Sequence, residues 1–298
     1  MQEKNPHALR GVACAALGGV CWGFSGTCGQ YLFSRFEVSS LWLTCVRLLA
    51  GGILLTVPAV LRHRDSVLGI LRNPKDLLRL ICYGIFGLLL CQYAYMTAIS
   101  WSNAATTTVL QNLGLLIVMG YTCLRVRRLP SRREGAALVL ALAGVYLLAT
   151  GGDPGHMALS PRGLFWGLAA AVAVALYTLL PQSLLSRWDR DAVIGPSMLI
   201  GGVFLNLTAR SWTFSVSLSL QGWLAVGAVV LLGTAAAFSL IMQGILDIGP
   251  ARASMLASTE PVSATVFSAL WLGTTFSVTD LIGFAAITAT VFLLAKSE

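Results

Sequence analysis

Arg47 and Glu260 stand inside long apolar stretches of this 298-residue chain. If such a stretch lies in lipid, a charge near its centre costs about 2.5–3.5 kcal/mol on insertion scales, so the side chain must face protein or water and find a partner. Two functional chemistries suit the Glu260 carboxylate: carrying a proton, or holding the amine of a substrate. A structural role competes with both, in which Glu260 ties its helix to a neighbour beside Pro261, a residue with no N–H to give. For Arg47 the choice is between anchoring the carbonyls of a neighbouring helix and capturing a substrate carboxylate. Uncharged groups surround these two in the pattern a cavity wall would need. Trp22 and Ser25 are three apart, as are Gln92 and Tyr95, while Gln111, Asn112, Tyr177 and Gln243 stand singly or adjacent in other apolar runs. Helical spacing of three or four puts such pairs on one face, as it does Thr107 with Gln111 and Thr108 with Asn112. An apolar and aromatic wall with a few convergent polar groups is the usual make-up of a small-molecule site. The alternative use of these amides is interhelical adhesion, worth about 0.6 kcal/mol each.

Other chemistries lack their residues. All three histidines (His7, His63, His156) fall outside the apolar runs, and the seven cysteines have no CxxC spacing. No metal site, disulfide framework or cofactor is therefore expected. Cys14, Cys21 and Cys28 share a helix face and read as small packing residues. There is no GxxxxGK[ST] phosphate loop, so the chain has no nucleotide-driven motor of its own. HExxH and GxSxG are also absent.

The elements that position these residues follow from composition. The chain is 56% hydrophobic and 11% charged, with a mean hydropathy of +0.78. A soluble domain carries about 25% charged residues, so this one cannot coat a water-exposed globule. At about 20 residues per crossing, ten runs are long enough to span a bilayer: 11–33, 39–61, 78–100, 103–124, 135–150, 163–186, 192–209, 221–246, 251–272 and 278–295. Little lies outside them, which excludes a large soluble catalytic domain and a nucleic-acid-binding module. The formal charge of +8 is better explained by orientation. With ten crossings, Lys4, Arg10, Arg62, Arg125, Arg128, Arg187, Arg252 and Lys296, among others, fall on one side. Only Arg35, Arg162 and Arg210 fall on the other. Basic residues accumulate on the cytoplasmic side, so both termini are expected there. Trp101, at the end of its run, reads as an interfacial belt residue.

The chain also matches itself. At an offset of 152, Arg10-Gly11 meets Arg162-Gly163, Gln30 meets Gln182, and Ser34-Arg35 meets Ser186-Arg187. At an offset of 146, Val145-Tyr146-Leu147-Leu148-Ala149 meets Val291-Phe292-Leu293-Leu294-Ala295. Both alignments lay runs one to five on runs six to ten, dividing the chain into repeats 1–151 and 152–298. Five is odd, so the second repeat enters the membrane from the opposite side. Inverted repeats supply two near-equivalent states, each open to one side, with the substrate site near the midplane.

The chain resembles the drug/metabolite transporter superfamily, and within it the EamA-type ten-helix carriers. The resemblance rests on Trp22-Gly23, Arg47-Leu48-Leu49-Ala50, Asn103-Ala104-Ala105 and Ala253-Ser254…Glu260-Pro261-Val262, in order along the chain. It implies an all-α integral membrane protein, with ten transmembrane helices as two inverted five-helix repeats around a central cavity. The first, third, fourth, sixth, eighth and ninth runs would border that cavity. Leu115 stands where the family often has a proline, the counterpart of Pro261, which leaves a symmetric kink in both halves an open question. Gly29 and Pro181 occupy equivalent repeat positions and, with Pro261, are the candidate hinges.

The expected function is a secondary active transporter in the bacterial inner membrane. It would move a small organic metabolite, an amino acid or related compound, outward by alternating access. Arg47 and Glu260 are its candidate charge or proton sites. Its partners are the solute and the bilayer, without nucleic acid, and a homodimer is left open. A lipid-modifying membrane enzyme, for which Asp247 with Arg252 is the nearest approach to an interfacial cluster, and a structural or sensory membrane protein are the competing readings.

Overall fold

A computed structural model describes residues 7–295, apart from the side chains of Pro250, Ala251 and Ala295. Lys4 and Lys296, used above to orient the chain, lie outside the described residues. The structure is helical throughout its long elements: α1 (Ala8–Phe36), α2 (Ser40–Arg62), a short α3 (Arg64–Arg72), α4 (Pro74–Trp101), α5 (Ala104–Val126), α6 (Arg132–Thr150), α7 (Pro161–Leu185), α8 (Arg190–Ala209), α9 (Leu220–Ile248), α10 (Pro250–Ala257), α11 (Thr259–Leu272) and α12 (Val278–Ala295). Among the described residues, eight helical segments are long and apolar enough to cross a membrane: α1, α2 and α4–α9. A shorter apolar helix, Val278–Leu294, lies within α12. The apolar run 251–272 is divided at Ser258 into α10 and α11, of 8 and 14 residues.

Local chemistry sets the ends. Asn103 caps α5 by accepting the Thr106 N–H at 2.8 Å, satisfying one of the donors a helix start leaves open. Ser131 and Glu134 form a reciprocal capping box at the start of α6. The same Glu134 carboxylate takes both Arg128 nitrogens at 2.6 and 2.7 Å, a hydrogen-bonded pairing that raises the Arg128 pKa above the usual guanidinium range. Gly151 and Gly273 close α6 and α11 in left-handed conformations, φ 64° and 66°, which cost glycine least.

Packing is tightest where small residues face each other. Helices α2 and α8 run against one another over much of their length. A Cβ on Gly52 would stand 2.6 Å from the Leu199 backbone, and one on Gly202 would stand 2.7 Å from that of Leu49. Helix α1 runs through the middle of the bundle, touching α9, α10, α11 and α5. Its core positions Cys28 and Leu32 are buried with Leu43, Met96 and Leu110. A second buried group ties α3 and α4 to the α7–α8 turn. There the fully buried Asp76 accepts from Trp188 Nε1 at 3.1 Å, Asn73 Nδ2 at 3.1 Å and Arg187 at 2.5 Å.

Four irregularities shape the interior. Helix α4 loosens into a π turn at Tyr83–Leu89 and α9 at Leu231–Ala236. Helix α5 is interrupted at Asn112-Leu113, and the α10–α11 break falls at Ser258. At the offset of 146, Asn112 falls on Ser258 and the two π turns overlap. Leu115 left a matching bend in both halves in question, and α5 is interrupted without a proline. The kink needs no proline, because Leu113 and Leu116 bond back three residues to Leu110 and Leu113 at 3.1 and 3.0 Å, tightening one turn as a 3₁₀ segment does.

Candidate substrate cavity

A cavity of about 440 Å³ opens between α1, α2, α4, α5, α7 and α9–α11. Its wall includes Trp22, Arg47, Gln92, Tyr95, Gln111, Asn112, Tyr177, Glu260 and Pro261, side chains brought together from positions up to 239 apart in the chain. The interruptions explain how. The kink at Asn112 turns Gln111 and Asn112 towards the space. The break at Ser258 places Glu260 in the first turn of α11 rather than mid-helix. Gly19 and Gly23 make that approach possible, since a Cβ on either would stand 2.6 Å from the carbonyl of Ala257 or Glu260. Thr259 secures the contact by donating to the Ala16 carbonyl at 2.9 Å.

Arg47 is 4% exposed. Its Nη2 donates to the Gly233 carbonyl at 3.1 Å and its Nε to Thr234 Oγ1 at 3.4 Å. Both partners belong to the π turn of α9, where the regular i→i+4 ladder is interrupted. Among the described residues its Nη1 has no hydrogen-bond partner. Among the described residues the Glu260 carboxylate forms no ion pair, including none with Arg47. Tyr95 OH and Thr108 Oγ1 lie 2.9 Å apart, fixing the ring against α5. Trp22 meets Phe238 edge to face at 5.6 Å, and Tyr177 stacks on the buried Tyr83 at 6.0 Å. Gln111 Nε2 approaches Cys91 Sγ at 3.7 Å.

Other expected positions fall elsewhere. Ser25 is fully buried between α1 and α9, pointing at the Val229 carbonyl 3.5 Å away, and lines no part of the cavity. Helix α1 turns this position into its contact with α9 because Gly233 offers no side chain to keep it away. Gln243 faces the end of α9, where its amide donates to Asp247 at 2.9 Å. Asp247 in turn receives Arg10 through Nε at 2.9 Å and Nη2 at 2.8 Å. The acidic group thus clamps the start of α1, instead of forming an interfacial cluster with Arg252. Gly29 does not interrupt α1; it is buried, with room beside it limited by Met96 Sδ. Pro181 does interrupt α7, because it has no N–H for the Tyr177 carbonyl. Trp101 carries the Arg162 guanidinium over its ring at 4.6 Å.

The sequence reading did not single out Arg190, Thr178 and Ser258, and gave Ser254 only within the family motif; all four also line the cavity. They extend it towards the end of the bundle bearing the α7–α8 and α9–α10 turns. The opposite end is held by Gln30. Its Oε1 accepts the Ala104 N–H at 2.9 Å and Ser268 Oγ at 3.1 Å, while its Nε2 donates to Thr274 Oγ1 at 3.0 Å. In the sequence, the repeat match of Gln30 with Gln182 was the available signal.

The fold and cavity define a multi-pass helical membrane protein with an interior compartment of solute size. The model of the EamA-like transporter family matches residues 9–150 and again 161–296, and the chain belongs to that family. It is 37% identical over 288 residues to the "Uncharacterized inner membrane transporter YicL" of Salmonella typhimurium, covering 96% of this chain and 95% of that one. It is 25% identical to the "Uncharacterized transporter YwfM" of Bacillus subtilis, over 89% of this chain and 86% of that one. A solved crystal structure shares the fold at a TM-score of 0.63 and 18% identity, covering 94% of this chain and 96% of that one.

Proposed function

We propose that the protein is a secondary active transporter that exports a small organic metabolite, an amino acid or a related compound, by alternating access. The moving units are two five-helix repeats of opposite orientation, residues 1–151 and 152–298. The two family matches and the paired irregularities at Asn112 and Ser258 support that division. In this reading α10 and α11 together make the ninth crossing and α12 the tenth. The distribution of basic residues supports a cytoplasmic location for the termini and for the cavity end reached by Arg190. The structure then corresponds to a state loaded from the cytoplasm, with the outer end shut at Gln30.

One observation carries this reading: a cavity faced by a buried cation and a carboxylate, held shut at one end by side-chain hydrogen bonds. Hydrogen bonds of that kind exchange at modest net cost, about 1 kcal/mol each, so they suit a gate. Glu260 is the proton site in this reading. Proton binding there and solute binding beside Arg47 would share one compartment, coupling the two. Tyr95, Gln92, Gln111, Asn112 and Tyr177 orient the solute, and Trp22 supplies an apolar face. Pro181 and Pro261 mark where the helices bend as the halves exchange.

Proteoliposomes containing the purified protein test the proposal. Labelled amino acids and related metabolites should exchange across the membrane, and an imposed pH gradient should drive accumulation. Absence of flux for every solute class, with folded protein in the vesicles, would overturn it.

A further inference from the structure

Among the described residues, the buried side-chain nitrogen and oxygen atoms without a hydrogen-bond partner are Arg47 Nη1 and Thr56 Oγ1. Arg47 lines the central cavity. We infer that the free edge of the Arg47 guanidinium is the docking point for a substrate carboxylate, and that the transported solute is a small acid carrying a single carboxylate. The inference rests on the transport reading and names the end group the site selects.

A buried guanidinium with donors unmet is costly, so the site is incomplete without an acceptor. The α9 π turn engages the Nε and Nη2 side of the group. One N–H of Nη1 and the second N–H of Nη2 are left on the end-on edge, while the other Nη1 N–H points back along the side-chain stem. Two of these donors in one plane match the two oxygens of a carboxylate, the pairing guanidinium forms most readily. Charge argues against a larger anion. The other ionisable side chains on the wall are Glu260, which repels negative charge, and Arg190 at the cytoplasmic end, along with Cys91, Tyr95 and Tyr177. A dianionic phosphate would therefore find one guanidinium edge and a carboxylate, whereas a monocarboxylate is balanced by Arg47 alone. A solute that also bears an ammonium group would meet Glu260, whose carboxylate forms no ion pair among the described residues.

The experiment compares matched probes on the purified protein: the twenty L-amino acids, their primary amides, their decarboxylated amines and inorganic phosphate. Thermal unfolding reports binding. At least one amino acid should raise the unfolding midpoint. Its amide and its amine should need at least about tenfold more ligand for the same shift, the loss expected when a charge-assisted hydrogen-bond pair is removed. Arg47→Lys should weaken acid binding and Arg47→Met should abolish the difference between acid and amide. If Arg47→Met fails to fold, because the Gly233 carbonyl loses its donor, the acid-to-amide ratio on the unaltered protein decides alone. An amide or amine that binds as tightly as its acid, preferential binding of phosphate, or no shift with any acid would overturn the inference. Vesicle flux separates the two levels. Transport of amides and amines at the rate of the acids leaves the carrier standing and removes the Arg47 site. Acid-selective binding without flux does the reverse.

Discussion

The side-chain carbonyl of Gln30 accepts the backbone N–H of Ala104 at 2.9 Å, so the C-terminal part of α1 is bonded directly to the first residue of α5. The same amide reaches Ser268 and Thr274, and three elements are closed by one side chain. Its repeat counterpart Gln182 is exposed at the other end of the bundle, and its amide has no partner among the described residues. Within the inverted-repeat reading, this asymmetry is what a latch engaged in one state and released in the other would show. Gln30→Leu keeps the bulk and removes all three bonds. Its expected effect is a loss of about 1–3 kcal/mol of stability, with faster labelling of Cys91, kept as the sole cysteine, by an impermeant maleimide added outside. Unchanged labelling would show that the outer end is held by packing.

Glu260→Gln should separate proton coupling from solute handling. The amide fills the same space in the first turn of α11 and carries no titratable proton. Flux driven by a pH gradient is expected to disappear, while exchange of labelled for unlabelled solute at equal pH continues. Full gradient-driven accumulation by the variant would place the proton elsewhere.

Tyr177 and Gln111 face the cavity from α7 and α5. Replacing either by alanine is expected to weaken solute binding more than it lowers the unfolding temperature. For Gln111 the reason is direct, since its side-chain contact is a long one to Cys91 Sγ at 3.7 Å. Tyr177 additionally stacks on Tyr83, so Tyr177→Ala should cost more stability than Gln111→Ala. The reverse ranking of binding and stability would make both residues packing elements.

Gly52→Val should be among the most damaging substitutions in the protein. Its Cβ would stand 2.6 Å from the Leu199 main chain, and backbone cannot rotate away as a side chain can. Overpacking of a well-fitted contact costs about 1–3 kcal/mol, and more where nothing can shift. Gly120→Ala is the control, because nothing lies within 4 Å of the added carbon. The first variant should fail to run as a single species in detergent size-exclusion, and the second should match the parent.

Much of this protein was legible in one dimension. Lipid as solvent demands long apolar helices with their backbone bonds satisfied internally, and eight of the ten apolar runs lie in helices long enough to cross, while the run 251–272 is divided at Ser258. The cost of a charge in such a run singled out Arg47 and Glu260, and helical spacing placed Gln92 with Tyr95. What the residues alone left undecided was which face of each helix meets which neighbour. Ser25 has the same spacing credentials as Trp22, yet one is sealed against α9 and the other opens on the cavity. Gln243 was drawn to Asp247, and Asp247 to Arg10, by a contact between chain segments 237 residues apart. The kink at Asn112 arose without the proline that would have announced it. In lipid the hydrophobic effect no longer distinguishes one apolar face from another. Helix rotation is then settled by close approach at glycines, by a few polar bonds and by π turns, all of them properties of pairs of helices that a single segment does not carry.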